Sequence, residues 1–177
     1  MLAIAFQLLL LVYHQVTTGV DLSPFNGVRH TKVAERRLEQ AVNGVLMGLG
    51  PIGFTFRIEP LIYYGVAYYF ILFAVECATW WMPYLFGASD KWREVYLRVH
   101  AGTIGILPRR DIRTAPNLEH LILMMLTLAT AMVTQAEFKT SHPEGYPQVW
   151  IPVLIGVVSF FGTSIQQMRN PQPRRTD

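Results

Sequence analysis

Long stretches of this chain contain no charged side chain, and this feature constrains the fold more than any other. A helix needs about 20 consecutive apolar residues, with about 17 as a lower limit, to cross a bilayer. Backbone polar groups inside lipid must be paired within the protein, so such stretches are expected to be helices. Asp, Glu, Lys and Arg are absent from residues 1–20, 40–56, 120–136 and 145–168, and residues 60–89 contain only Glu76. The sequence therefore predicts an all-α, polytopic integral membrane protein.

We predict five transmembrane helices, at about residues 2–20, 40–56, 61–86, 118–135 and 150–168. Aromatic residues, which favour the water–lipid boundary, mark both ends of the third span. The second span is short and rich in glycine, so an alternative has four spans and a glycine-rich re-entrant segment. A soluble helical bundle would need a polar stripe along each helix, and residues 62–75 and 151–161 have none.

Positive charge favours five spans over four. With five spans, one side of the membrane receives 13 Lys and Arg residues and the other receives 2, whereas four spans divide them 9 to 6. Cytoplasmic loops carry the excess of Lys and Arg. We therefore expect an outside N-terminus and a cytoplasmic C-terminus in the plasma membrane, or in the inner membrane if the cell is bacterial. Residues 1–169 would form one transmembrane domain, and 170–177 a disordered cytoplasmic tail.

The composition excludes several classes of protein. Charged residues make up only 15% of the chain, and the single cysteine, Cys77, excludes an intrachain disulfide or a site built from several Cys ligands. The net charge is +3, and the basic residues lie between the apolar blocks. This placement is typical of membrane loops, so no nucleic-acid partner is expected. No zinc-protease or P-loop motif is present. We assign no metal ligand and no cofactor, and whether the chain is an enzyme stays open.

A short amphipathic helix is predicted at residues 89–100. Ser89 is a suitable N-cap, and Trp92, Val95, Tyr96 and Val99 share one face at helical spacing. This apolar face is expected to lie in the membrane surface or to pack on the protein's own spans. His100, at its end, is interpreted as a loop residue.

Small residues indicate how the spans pack. Helices in lipid associate through close backbone approach and interhelical hydrogen bonds. Gly44 and Gly48 form a GxxxG spacing in the second span, and Ser159 and Thr163 share a face of the fifth. These two spans are predicted to pack together, or one of the faces to mediate a homo-oligomer.

The few ionisable groups at membrane depth are the main functional clue. Such groups are costly in lipid unless they are paired, so each is a candidate for function. In the five-span topology they all fall in the cytoplasmic half of the bilayer. The pocket candidates are His14, Asn43, Glu76, Glu119 and His120. A separate cluster of Arg109, Arg110 and Arg113 suits anionic lipid headgroups.

These features favour a non-catalytic membrane protein: a transport, lipid-binding or accessory subunit with a polar pocket in the cytoplasmic half of the bilayer. Its expected partners are the bilayer, anionic lipids, and a homo-oligomer or a larger membrane complex. A membrane-embedded enzyme acting on a phosphorylated lipid is one alternative. A haem protein with His14 and His120 as iron ligands is the other.

Overall fold

The computed structural model describes residues 1–108 and 113–143, and in these ranges the chain is helical without a β-strand. A short 3₁₀ turn, Val28–His30, precedes the second helix. The α-helices are α1 (Leu2–Gly19), α2 (Val33–Phe56), α3 (Glu59–Phe86), α4 (Asp90–Val99) and α5 (Leu118–Ser141).

The four long helices form an antiparallel bundle in which each packs against two others. α1 and α3 both contact α2 and α5. Along α1 and α5, Gln7 bonds to Thr134, whereas Tyr13 bonds to the carbonyl of Glu119, so the two helices run in opposite directions. The same reversal holds for the other three neighbouring pairs. Consequently, residues 20–32, 87–108 and 113–117 lie together at one end, which we call the loop-rich end.

Three of the helices, α1, α3 and α5, are long and apolar enough to cross a membrane. They correspond to the first, third and fourth predicted spans. α2 is long enough, but its first turns are charged. It continues as one helix through Pro51, without a re-entrant hairpin. Five spans are not confirmed, because the fifth, at 150–168, lies outside the described residues, as does the predicted tail at 170–177.

Glycines bring α2 and α3 into close contact near the opposite end of the bundle. A Cβ atom on Gly65 would lie 3.1 Å from the Cα of Gly50, and one on Gly53 would lie 2.7 Å from the carbonyl carbon of Leu61. Only a residue without a side chain fits such an approach. Two residues, Arg57 and Ile58, connect the helices here.

The predicted packing residues Gly44 and Gly48 do not mediate this contact. A Cβ on Gly44 would meet the side chain of Gln15 at 3.2 Å, and one on Gly48 would meet nothing within 4 Å among the described residues. Their predicted partners, Ser159 and Thr163, lie outside those residues.

Buried polar side chains lie beside the hydrophobic core of the bundle, and large apolar side chains lie on its surface. On α5, Thr127, Thr130 and Thr134 are completely buried, whereas Met125 and Met132 are more than half exposed. Buried Gln7 donates from Nε2 to Oγ1 of Thr134 at 3.0 Å, across the α1–α5 contact. Interhelical hydrogen bonds and exposed apolar side chains are typical of helices that pack in lipid.

α4 lies across the loop-rich end. Oγ of Ser89 accepts a hydrogen bond from the backbone of Trp92 at 3.3 Å, which confirms the predicted N-cap. Tyr96 and Val99 are buried, and Tyr96 packs in a cluster with Trp80 and Met124. Of the two predicted positions for the apolar face, the structure shows packing on the protein's own helices.

Candidate functional site: a polar cavity at the loop-rich end

A cavity of about 440 Å³ lies at the loop-rich end of the bundle, between the long helices and beneath α4. The five pocket candidates from the sequence all line it: His14, Asn43, Glu76, Glu119 and His120. They come from four different helices. The antiparallel arrangement therefore brings together residues that the sequence placed at one depth.

Glu76 is the most buried carboxylate in the cavity, with 7% of the residue exposed. Its Oε1 accepts a hydrogen bond from Oγ1 of Thr127 at 3.0 Å. Its Oε2 is buried and has no hydrogen-bond partner within residues 1–108 and 113–143. A buried polar group without a partner costs about 1–3 kcal/mol, and more when it is charged. A donor or a cation near Oε2 would offset this cost.

His14 forms the α1 side of the cavity. Its Nε2 accepts a hydrogen bond from Nδ2 of Asn43 at 3.2 Å and lies 3.9 Å from a carboxylate oxygen of Glu39. Asn43 and Glu39 are one turn apart on α2, so both reach the same imidazole. Nδ1 of His14 is buried and has no partner in the part of the chain that the structure describes.

A third group of side chains surrounds the start of α5. Asn117 caps this helix, because its Oδ1 accepts from the backbone N–H of His120 at 3.0 Å and also bonds to ring Nδ1 of His120. Its Nδ2 donates to Oγ1 of Thr103 at 3.0 Å, and that hydroxyl donates to the carbonyl of His100 at 2.7 Å. Asn117 thus connects the two histidines. In His100, Glu119 and His120, the potential ligand atoms all lie within 4.8 Å of one another.

The indole of Trp80 packs against both histidines. Its ring centroid lies 3.6 Å from that of His120 and 5.1 Å from that of His100. Burial lowers the pKa of His100 to about 4. His100 is therefore neutral near pH 7, with a lone pair available on one ring nitrogen.

Several cavity residues were missed by the sequence analysis. His100 was interpreted as a loop residue, but it lies four residues after Tyr96, and this spacing extends the apolar face of α4. Arg36 and Arg98 also line the cavity. Of the predicted headgroup arginines, Arg113 is partly buried and does not line it, whereas Arg109 and Arg110 lie outside the described residues.

Comparison with known proteins finds no family model that matches the chain, and no matching curated protein or solved structure. The function must therefore be argued from the site. The cavity contains carboxylates and neutral imidazoles, groups that can accept hydrogen bonds, bind cations or hold a metal ion.

Proposed function

We propose that this chain is a polytopic membrane protein whose cavity binds a small ligand carrying positive charge, and that it acts as a non-catalytic transport or accessory subunit. One observation carries the proposal. Oε2 of Glu76 has no hydrogen-bond partner among the described residues, and it lies in a cavity that all five predicted pocket residues line. A charged hydrogen bond to this oxygen would contribute about 1.5–3 kcal/mol.

The membrane assignment is supported by the outer surface of the bundle. Leu9, Val45, Val75 and Met125, one from each long helix, are 47–64% exposed. A soluble protein rarely exposes apolar side chains over so much of its surface. We also propose that residues 150–168 form a fifth span and that anionic lipids bind at the arginine cluster. The chain would form a homo-oligomer or belong to a larger membrane complex.

The orientation follows from basic residues. The loop-rich end carries the arginine-rich connections, and among the described residues the opposite end has only Arg57 and Lys139. The positive-inside rule then puts the loop-rich end, and with it the cavity, on the cytoplasmic side.

The charges around the cavity favour a cation over an anion. Among the described residues, four carboxyl groups line the cavity and two arginines oppose them. Burial lowers the pKa of His100, so this residue contributes no positive charge near pH 7. A ligand with an ammonium group would complement this balance. The carboxylates are Glu35, Glu39, Glu76 and Glu119.

The test is thermal stabilisation of the full chain in mild detergent by a series of primary amines, from methylammonium to a diamine. We expect at least one amine to stabilise the wild type and Glu76→Gln to bind it at least tenfold more weakly. Glutamine keeps the shape of the side chain and can still accept a hydrogen bond from Thr127, but it has a neutral amide in place of the carboxylate. Native mass spectrometry of both proteins reports any small molecule that copurifies.

The matched control is Glu59→Gln, which removes a carboxylate from the other end of the same helix. Glu59 pairs with His142 and does not line the cavity. It should bind amines as the wild type does. The proposal fails if no amine stabilises a monodisperse wild type, or if Glu76→Gln and Glu59→Gln respond equally.

A membrane-embedded enzyme acting on a phosphorylated lipid is the second candidate. It is favoured by Arg36 and Arg98, which line the same cavity as Glu76 and His120, because guanidinium groups bind phosphate. This candidate would be supported if the chain released inorganic phosphate from phosphatidic acid in mixed micelles and if His120→Asn abolished the release. The haem alternative uses His14 and His120, and a Soret band in the purified protein would support that one.

A further inference from the structure

We propose that His100, Glu119 and His120 form a binding site for a divalent first-row transition-metal ion in the wall of the cavity. This inference deepens the proposed function, because the three residues line the same cavity. It rests on geometry, on the hydrogen bonds of the His120 ring and of the His100 backbone, and on the chemistry of the three donors.

The potential ligand atoms are already close to a coordinating arrangement. They lie within 4.8 Å of one another. Metal–ligand bonds of about 2.0–2.1 Å in a tetrahedral site would separate ligand atoms by about 3.4 Å. Side-chain rotations would have to close a difference of at most about 1.4 Å between ligand atoms.

Hydrogen bonding indicates that Nε2 of His120 is the nitrogen free to bind the ion, while Nδ1 lies 3.9 Å from a carboxylate oxygen of Glu119. Nδ2 of Asn117 donates to Thr103, which places Oδ1 toward His120. Because Oδ1 is only an acceptor, Nδ1 of His120 must carry the proton, and Nε2 keeps its lone pair. Metal-binding histidines typically donate their other ring N–H to an oxygen in this way.

His100 is held by hydrogen bonds of its backbone. Its backbone N–H donates to the carbonyl of Tyr96 at 2.7 Å, and its own carbonyl accepts from Thr103. Ring Nδ1 is buried without a hydrogen-bond partner in the described ranges. A nearby metal ion would satisfy this nitrogen through its lone pair.

Two imidazoles and one carboxylate select the class of ion. Imidazole suits zinc, iron, nickel and copper, whereas magnesium and calcium prefer oxygen ligands. His₂Glu sets occur in zinc sites that keep a coordination position open. Three protein ligands here would likewise leave a position for a ligand in the cavity.

The test is zinc binding by the untagged full chain in detergent, after treatment with a chelator. Competition with a chromophoric chelator measures affinity, and elemental analysis measures stoichiometry. We expect one zinc ion per chain, at least tenfold weaker binding in His100→Asn and in Glu119→Gln, and no competition from magnesium. Cobalt substitution should give visible d–d bands that both variants lose.

The chain offers a matched control at the other end of the bundle. His142 and Glu59 form a histidine–carboxylate pair at 3.1 Å, and His142→Asn and Glu59→Gln should bind zinc as the wild type does. Each variant is first shown to be monodisperse. Asn117→Ala, which touches no ion, should weaken zinc binding while the cobalt bands keep their positions.

Two results would overturn the inference: no zinc binding by folded wild type, or equal zinc affinity in the cluster variants and the controls. The outcome separates this inference from the proposed function. If amines bind through Glu76 and zinc does not bind, only the metal site is wrong. If zinc binds at the cluster and no amine binds, the proposed amine ligand is wrong and the metal site stands.

Discussion

Gly53→Ala should destabilise the bundle although alanine is the better helix former. A Cβ at this position would lie 2.6 Å from Cβ of Leu61, 2.7 Å from its carbonyl carbon and 2.8 Å from the backbone nitrogen of Ile62. Two of these are backbone atoms, so α2 and α3 would have to move apart. Overpacking of this kind costs about 1–3 kcal/mol, more than the gain of up to about 1 kcal/mol from alanine's helix propensity.

Gly48→Ala is the matched control five residues earlier in α2. Among the described residues, nothing lies within 4 Å of a Cβ there, so only the propensity gain remains. The propensity gain is the same in both variants, so they should differ by the overpacking cost of about 1–3 kcal/mol in the free energy of unfolding. Unfolding of the purified chain by SDS in mixed micelles, followed by tryptophan fluorescence, measures this difference. Equal stabilities would show that α2 and α3 do not meet at Gly53.

Two further predictions concern buried hydroxyls and membrane topology. Tyr69→Phe should lower the free energy of unfolding by about 0.5–1.5 kcal/mol, because the hydroxyl of this fully buried residue donates to a carbonyl of α2 at 3.0 Å. Tyr64→Phe removes an exposed hydroxyl that also donates to a carbonyl of α2, and it should lower the free energy of unfolding by less. Equal losses in the same SDS assay would contradict this. In a Cys77→Ser background, cysteine at position 30 should be protected from a membrane-impermeant maleimide in intact cells, whereas cysteine replacing Arg57 should react. The opposite labelling, or equal labelling of both positions, would refute the orientation.

The convergence of the pocket residues was predictable because depth in a membrane can be counted along the chain. His14 lies near the end of the first apolar block, and Glu119 and His120 lie at the start of the fourth. Antiparallel helices with connections at alternating ends bring these positions to the same level. Depth counted along the chain was therefore enough to select five of the residues that line the cavity.

The metal-ligand cluster could not be predicted in the same way. His100 is separated from Glu119 and His120 by residues 101–117. This connection has no hydrophobic periodicity, so the sequence does not indicate where the chain turns. Its path depends on tertiary contacts such as the bonds from Asn117 to Thr103 and from the backbone of Leu118 to that of Ile104. Such contacts are visible only once the chain is folded.

The sequence also indicated glycine packing without specifying the face. Gly44 and Gly48 have the more familiar spacing, but the close approach uses Gly50, Gly53 and Gly65. The two-residue connection between α2 and α3 decides this, because it leaves little freedom in how the two helices align. A spacing motif contains no information about that alignment.

The two ends of the bundle are built from different side chains, and this difference explains where the cavity lies. Near the short connection, glycines let the backbones of α2 and α3 touch. Toward the loop-rich end, Gln15 and Gln40 stand between α1 and α2, each donating from Nε2 to the other's backbone carbonyl at 3.0 Å. These reciprocal hydrogen bonds join the two helices through side chains. A ligand entering from the loop-rich end can therefore approach Glu76 without separating the glycine contacts that join α2 to α3.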